Sequence, residues 1–285
     1  MQNYIDLLAL ILNTGVDSYD RTGVGTRSVF ATQLKFDLTQ GFPAVTTKKL
    51  QFNAVKAELL WFIEGSNDER RLAEIQFGTR DPSKTTIWTA NANADYWKPK
   101  AKFEGDLGRV YGVQWRTWRT LDAKGHPTVH DQLKSLIENI KNDPYSRRHI
   151  LLAYNPGELQ LAALPPCHMM CQFYVRNGEL SCQMYQRSQD LFLGAVFNYA
   201  SYALLTHMIA QVCGLTAKEL IVTVGDCHIY NNHIDAVKEQ LTRTPKTLPT
   251  LWLNPAITDI DQFKMDDIKL VNYEHHPAIA APMAV

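Results

Sequence analysis

Residues 171–186 read CQFYVRNGELSCQMYQ. Two β-rich runs flank Asn177-Gly178, the dipeptide preferred by a two-residue type I′ turn, whose central residues both need positive φ. The stretch predicts an antiparallel hairpin, and its neighbours widen it into a sheet. Residues 29–38 alternate, with Phe30, Leu34, Phe36 and Leu38 on one face, and residues 148–154 (RHILLAY) form a further strand. Between the strands lie helical spacings. Near the N-terminus Tyr4, Leu7, Leu8, Ile11 and Leu12 share one face, ended by Gly15. Residues 54–64 carry Val55, Leu59, Phe62 and Ile63, stopped by Gly65. Residues 129–141 carry Leu133, Leu136, Ile137 and Ile140, closed by Asn142-Asp143-Pro144. Residues 197–213 turn Ser201, Leu204, Leu205, Met208, Ile209 and Val212 inward, with Gly214 beyond the end. Strands and helices intermingle without regular βαβα alternation. The predicted class is therefore α+β, with a large mixed or antiparallel sheet packed by helices. No repeat, charge block or low-complexity tract divides the chain, so residues 1–285 read as a single domain.

Composition narrows the function. Lys and Arg total 29 and Asp and Glu total 29, a net charge of zero that disfavours a dedicated nucleic-acid binder. No apolar run approaches the roughly 20 residues of a membrane span. The N-terminal apolar run lacks basic residues before it and a small-residue cleavage pattern, so a cytoplasmic location is expected. The cysteines are Cys167, Cys171, Cys182, Cys213 and Cys227, an odd and sparse set that forms no disulfide framework. Cys167, His168 and Cys171 lack a second ligand pair at zinc spacing, so no metal is expected.

Cys167 stands apart from the other four. It lies in Leu164-Pro165-Pro166-Cys167-His168, where two prolines fix the approach and display the thiol at a rigid turn. His168 or a nearby arginine would lower the thiol pKa. Arginines recur beside turn residues in Asp20-Arg21-Thr22-Gly23, Ser146-Arg147-Arg148 and Gln186-Arg187-Ser188. Guanidinium forks with an adjacent hydroxyl suit a phosphate. Glu58, mid-helix, is either an exposed carboxylate or, facing a cavity, a proton shuttle with raised pKa. Asn198 is either an N-cap or an amide that reads a base edge. His228 and Tyr230 place two hydrogen-bonding rings two residues apart. The polar stretch 77–109 holds Trp88, Tyr96 and Trp97. It is either an aromatic-anchored surface loop or a wall over a flat ligand.

Together these segments resemble the thymidylate synthase family along essentially the whole chain. The likeness rests on Asp20–Thr26 (DRTGVGT), Glu58–Phe62 (ELLWF), Gly105–Gly108, Tyr111-Gly112, Gln114–Arg116 and Ser146–Arg148. It continues through Pro165–His168, Gln183–Asp190 (QMYQRSQD), Phe197-Asn198, Ala200–Leu205, His228–Tyr230, His276-Pro277 and Met283–Val285. The resemblance implies a methyltransferase of nucleotide biosynthesis that converts dUMP to dTMP. Its carbon donor and reductant would be 5,10-methylenetetrahydrofolate, used as co-substrate without a metal. It assigns Cys167 as nucleophile at pyrimidine C6, with Tyr111 and His168 nearby and Glu58 moving protons at C4 and C5. Asn198 would read the uracil edge, so its being asparagine and not aspartate argues against cytosine. His228 and Tyr230 would hold the sugar hydroxyl. Arg21, Gln186, Arg187 and Ser188 would hold the nucleotide, joined by Arg147 and Arg148 from a second copy across a homodimer interface formed by the sheet face. Asp190 would hold the pterin, lined by Trp88, Asn91, Leu164, Leu193, Gly194 and Phe197, with Val285 closing over it.

Thr89, Arg109, Val196 and Tyr199 depart from the family's usual Asp, Pro, Pro and Ile. These positions suggest an altered folate-side shell, which keeps open a dUMP hydroxymethylase working through the same Cys167 adduct. A non-catalytic nucleotide- or RNA-binding regulator is opposed by the neutral charge and the intact Cys167–Glu58 pair. A cysteine hydrolase is opposed by the poor direction of His168.

Overall fold

A computed structural model describes residues 1–19 and 23–283. The expected Arg21 and Val285 therefore lie outside the described residues. The chain opens with helix α1 (Gln2–Thr14), strands β1 (Val16–Ser18) and β2 (Thr26–Asp37), then helices α2 (Phe52–Ile63), α3 (Glu69–Phe77), α4 (Thr89–Ala92) and α5 (Tyr111–Arg116). A small hairpin of β3 (Trp118–Leu121) and β4 (Pro127–His130) precedes α6 (Gln132–Asn142) and β5 (Ile150–Leu152). The predicted hairpin follows as β6 (His168–Arg176) and β7 (Glu179–Asp190), then α7 (Ala195–Val212), β8 (Thr216–Tyr230), α8 (Ile234–Leu241), β9 (Thr250–Leu253) and β10 (Ile268–Val271).

The hairpin turn forms as the dipeptide requires, with φ of 52° at Asn177 and 75° at Gly178. Six strands make one sheet in the order β1-β2-β8-β7-β6-β5. Every neighbour in it is antiparallel except β7 and β8, which run parallel. A parallel pair needs a crossover, and α7 supplies it. The sheet is mixed and the class α+β, as the pattern predicted. Cys171, Phe173, Val175, Leu180, Cys182, Met184, Leu220, Val222 and Val224 point inward to the core. There α7 packs on β7, β8 and α2. Helix α7 is apolar nearly all round because other elements cover it on most sides. The opposite sheet face leaves Phe30 at 81%, Tyr174 at 51% and Tyr185 at 36% exposure.

Boundaries moved for physical reasons. The helix expected from residue 129 begins at Gln132, because Asp131 accepts a hydrogen bond from the Lys134 N–H and caps it. Residues 127–130 pair instead with β3. The strand expected over 148–154 shrinks to Ile150–Leu152. Within 77–109, Trp88 and Trp97 are buried anchors while Tyr96 is exposed. Among the described residues no helix is long and apolar enough to cross a membrane.

Candidate functional site

The parallel pair decides where chemistry gathers. Strand β7 ends at Asp190 beside His228, and β8 ends at Tyr230. The chain leaves β7 through residues 191–194 and enters α7, whose first turn carries Asn198. Cys167 immediately precedes β6, and β6 pairs His168 with Gln186. Cys167 and Arg187 thus become cross-strand neighbours, and the Arg187 N–H donates to the Cys167 carbonyl at 2.9 Å. The ladder slips between His168 and Met170, a bulge of the kind that re-aims side chains at strand ends.

Arg187 is fastened along the Pro-Pro turn. Its Nε donates to the Pro166 carbonyl at 2.9 Å and Nη2 to the Pro165 carbonyl at 2.8 Å, which leaves Nη2 3.6 Å from the Cys167 sulfur. A guanidinium there stabilises a thiolate over a thiol. The backbone N–H of Cys167 donates to the Tyr111 hydroxyl at 2.8 Å. Tyr111 reaches this point because α5 lies close on α2, where a Cβ on Gly112 would collide with the Phe62 carbonyl. Burial pushes the Tyr111 phenol well above its usual pKa, with the neighbouring Cys167 adding to the effect.

His168 does not serve as the expected cation. Its ring stacks on Tyr111 at 4.0 Å, and its Nδ1 shares a 2.8 Å hydrogen bond with the Tyr202 hydroxyl. Burial drives its pKa down to about 3, so the ring stays neutral and braces Tyr111. The positive charge beside Cys167 comes from Arg187 instead.

Glu58 faces inward from α2. Trp88 Nε1 donates to its Oε1 at 2.7 Å. Burial raises the carboxyl pKa to about 7, and the Trp88 hydrogen bond opposes the rise. A carboxyl poised there is able to give and take protons near neutrality. The raised value also fixes a stability signature. Below the unfolded value both states bind the proton. Above about 7 both are charged, and the folded one pays for burial. Glu58→Gln keeps an oxygen for Trp88, so it should raise Tm relative to the unaltered chain at about pH 8 and do so much less at about pH 5. Equal shifts at both pH values in differential scanning calorimetry would contradict the raised pKa.

Asn198 is not an N-cap. Gly194 occupies that position, and the Asn198 Oδ1 accepts from Gln186 Nε2 at 3.1 Å. Gln186, expected at the substrate, is buried, with its Nε2 turned to Asn198. His228 leans on Asp226 through Nδ1 at 3.2 Å and meets the Tyr230 ring edge-on at 5.1 Å. Ser188, Arg187 and Tyr230 remain partly exposed.

Asp190 turns the chain by accepting the N–H groups of Phe192 and Leu193 on Oδ1, at 3.0 and 3.1 Å. Beyond it Leu193, Gly194 and Phe197 keep partial exposure, as do Leu164 and Asn91. Two residues holding this turn escaped the sequence reading. Lys48 Nζ donates to the Phe192 carbonyl and sits over that ring, with burial lowering its pKa to about 8. His233 Nε2 meets the Pro282 carbonyl at 2.6 Å and its Nδ1 lies 3.8 Å from Asp190. The C-terminal segment is thereby tied beside Asp190. Lys48-Lys49 reads as a solvated pair in sequence, whereas His233 continues the ring series of His228 and Tyr230.

Arg147 and Arg148 stay apart from this group. They are exposed ahead of the edge strand β5, and their side chains make no hydrogen bond or ion pair among the described residues. The four departures are held within the protein. Thr89 donates to Glu69 at 2.6 Å, Arg109 pairs with Glu158 at 2.8 Å and donates to the Thr117 carbonyl at 2.7 Å, and Val196 and Tyr199 are buried. Among the described residues no cluster of three or more His, Cys, Asp or Glu is placed to hold a metal ion. The family model described as "Thymidylate synthase" matches residues 2–285.

Proposed function

Because the chain belongs to the thymidylate synthase family, we propose that it converts dUMP to dTMP with 5,10-methylenetetrahydrofolate as carbon donor and reductant. The observation that carries the reading is the Arg187 guanidinium 3.6 Å from the Cys167 sulfur. In this reading the thiolate adds to C6 of the pyrimidine, and the displaced electron pair moves through C5 and C4 onto O4. The Asn198 amide donates to that oxygen, where negative charge develops. C5, now nucleophilic, would bond to the folate methylene as its bond to one folate nitrogen breaks. Loss of the C5 proton with cleavage of the second C–N bond leaves an exocyclic methylene. Hydride from the tetrahydrofolate reduces it to methyl as the thiolate leaves C6, giving dTMP and dihydrofolate. Glu58 moves protons at O4 and, through water, C5. Covalent addition splits a difficult substitution at an unreactive carbon into easier steps. Arg21, Arg187 and Ser188 hold the phosphate and His228 with Tyr230 the sugar hydroxyl.

The reduced folate is a second substrate. Leu164, Leu193 and Phe197 are partly exposed apolar residues, the last two following Asp190 closely in the chain. Apolar side chains beside one carboxylate would suit a flat pterin that carries N–H donors. A second copy of the chain is proposed to cover the sheet face bearing Phe30, Tyr174 and Tyr185 and to lend Arg147 and Arg148.

The hydroxymethylase alternative drew on the four departures. Their side chains serve contacts inside the protein, so the products decide between the two reactions. The test incubates the protein with dUMP and methylenetetrahydrofolate and identifies both products. Dihydrofolate with dTMP is the expected pair. Tetrahydrofolate with a hydroxymethylated nucleotide would overturn the assignment in favour of the hydroxymethylase.

A further inference from the structure

Behind Asn198 a file of side-chain hydrogen bonds runs through the core. The Tyr199 hydroxyl donates to Gln189 Oε1 at 2.7 Å, Gln189 Nε2 donates to Gln186 Oε1 at 2.8 Å, and Gln186 Nε2 donates to Asn198 Oδ1 at 3.1 Å. Tyr199 and Gln189 are fully buried and Gln186 nearly so. An amide can enter such a file in either sense, so its direction needs an anchor at each end.

Both anchors are present. Gln186 Nε2 also donates to the Ser188 backbone carbonyl at 3.0 Å, and a carbonyl only accepts. That contact fixes which end of Gln186 is the NH₂ group. Its oxygen then faces Gln189, which must answer with NH₂, and the Gln189 oxygen is left requiring a donor. The Tyr199 phenol supplies one, and burial holds it protonated. At the other end, reversing Asn198 would set its NH₂ against the NH₂ of Gln186. Asn198 Nδ2 is thereby left as the outward donor, while Oδ1 keeps a second lone pair for an N–H.

We propose that Tyr199 and Gln189 are positioning residues that lock the polarity of the Asn198 amide and so set the pyrimidine selectivity of the site. A carbonyl at C4 of the base, as in uracil, matches the locked Nδ2 donor. An amino group there, as in cytosine, meets donor with donor. The selectivity is built from the core outward, through residues that touch no ligand. Tyr199 is also one of the departures from the family's usual residue, and here the departure has a use. The inference rests on the reading of Asn198 as the group that faces the pyrimidine.

The test measures equilibrium binding of dUMP and dCMP by calorimetry for the unaltered chain, Tyr199→Phe and Gln189→Met, with thermal melts to show that each is folded. Tyr199→Phe removes the strong terminal donor, leaving the Gln189 oxygen the weak Cys227 S–H at 3.9 Å, and should cut the preference for dUMP over dCMP by about tenfold, the scale of one buried hydrogen bond. Gln189→Met removes the donor that holds the Gln186 oxygen, so that the Ser188 carbonyl alone restrains the Gln186 amide, and should cut it further. A merely structural role would weaken both nucleotides together and leave their ratio unchanged. An unchanged ratio in both variants overturns the relay alone. Equal binding of the two nucleotides by the unaltered chain overturns the reading of Asn198, and the relay with it.

Discussion

Cys167→Ala should lower turnover of dUMP by on the order of 10⁴-fold or more, because the proposed reaction has no low-energy path without a covalent bond at C6. Loss on that scale distinguishes a nucleophile from a packing residue. The remaining cysteines offer the comparison. Cys171, Cys182 and Cys227 are buried, and burial pushes the Cys227 thiol up to about 12 and the Cys171 thiol well above its usual value. The Cys171 and Cys227 thiols therefore hold their protons. Cys213 is partly exposed, as Cys167 is, but burial raises its thiol to about 11; Cys167 differs in lying on a proline-fixed turn and facing a guanidinium. The check is a steady-state rate together with mass spectrometry of the protein after incubation with 5-fluoro-dUMP and the folate. The adduct should map to Cys167 and vanish in the variant. Turnover within tenfold of the unaltered chain, or an adduct on another cysteine, would remove Cys167 from the mechanism.

What was legible in the sequence follows from how local each signal is. The hairpin was readable because a two-residue turn and its flanking strands are one local object, and Asn177-Gly178 states its geometry. The apolar stripe of α6 was readable for the same reason. Strand β8 was largely missed, although Leu220, Val222 and Val224 alternate, because its pairing with β7 is made only after α7 has carried the chain across. That crossover also hid the site's logic. The parallel ends of β7 and β8 and the first turn of α7 bring Arg187, Asp190, Asn198 and His228 to one rim, which no spacing in the chain announces. In sequence Glu58 stands between an exposed and a cavity-facing reading, since periodicity gives a face and not what lies opposite it. Trp88, thirty positions away, decides the matter by hydrogen bonding to it. Between His168 and a nearby arginine, adjacency in the chain does not decide which one meets the sulfur. Alternation along β6 turns the His168 ring away, toward Tyr202 and the core. Arg109, Thr89 and Tyr199 were visible only as departures, and their partners Glu158, Glu69 and Gln189 had to be seen before they acquired a role.

Arg148→Glu should be inactive by itself, and mixing it with the equally inactive Cys167→Ala chain should restore activity. Arg147 and Arg148 lie exposed at the edge strand, apart from the Cys167 group. In the proposed dimer they would reach the phosphate bound by the other copy of the chain. In an exchanged dimer, the chain that keeps Cys167 would receive Arg148 from the Cys167→Ala partner and own one complete site. The other site would lack both groups. Random exchange of equal amounts makes half of the dimers mixed, each with one working site of two, so recovery should approach about a quarter of the unaltered activity. The sign of the Arg148 effect is electrostatic, since Glu places a negative charge where a phosphate dianion must sit. Recovery should appear only after conditions that let subunits exchange, and should be absent when each variant is first cross-linked as its own dimer. Activity that stays absent after demonstrated exchange, or an Arg148→Glu chain that is active alone, would return both arginines to their own subunit's surface and leave the phosphate to Arg21, Arg187 and Ser188.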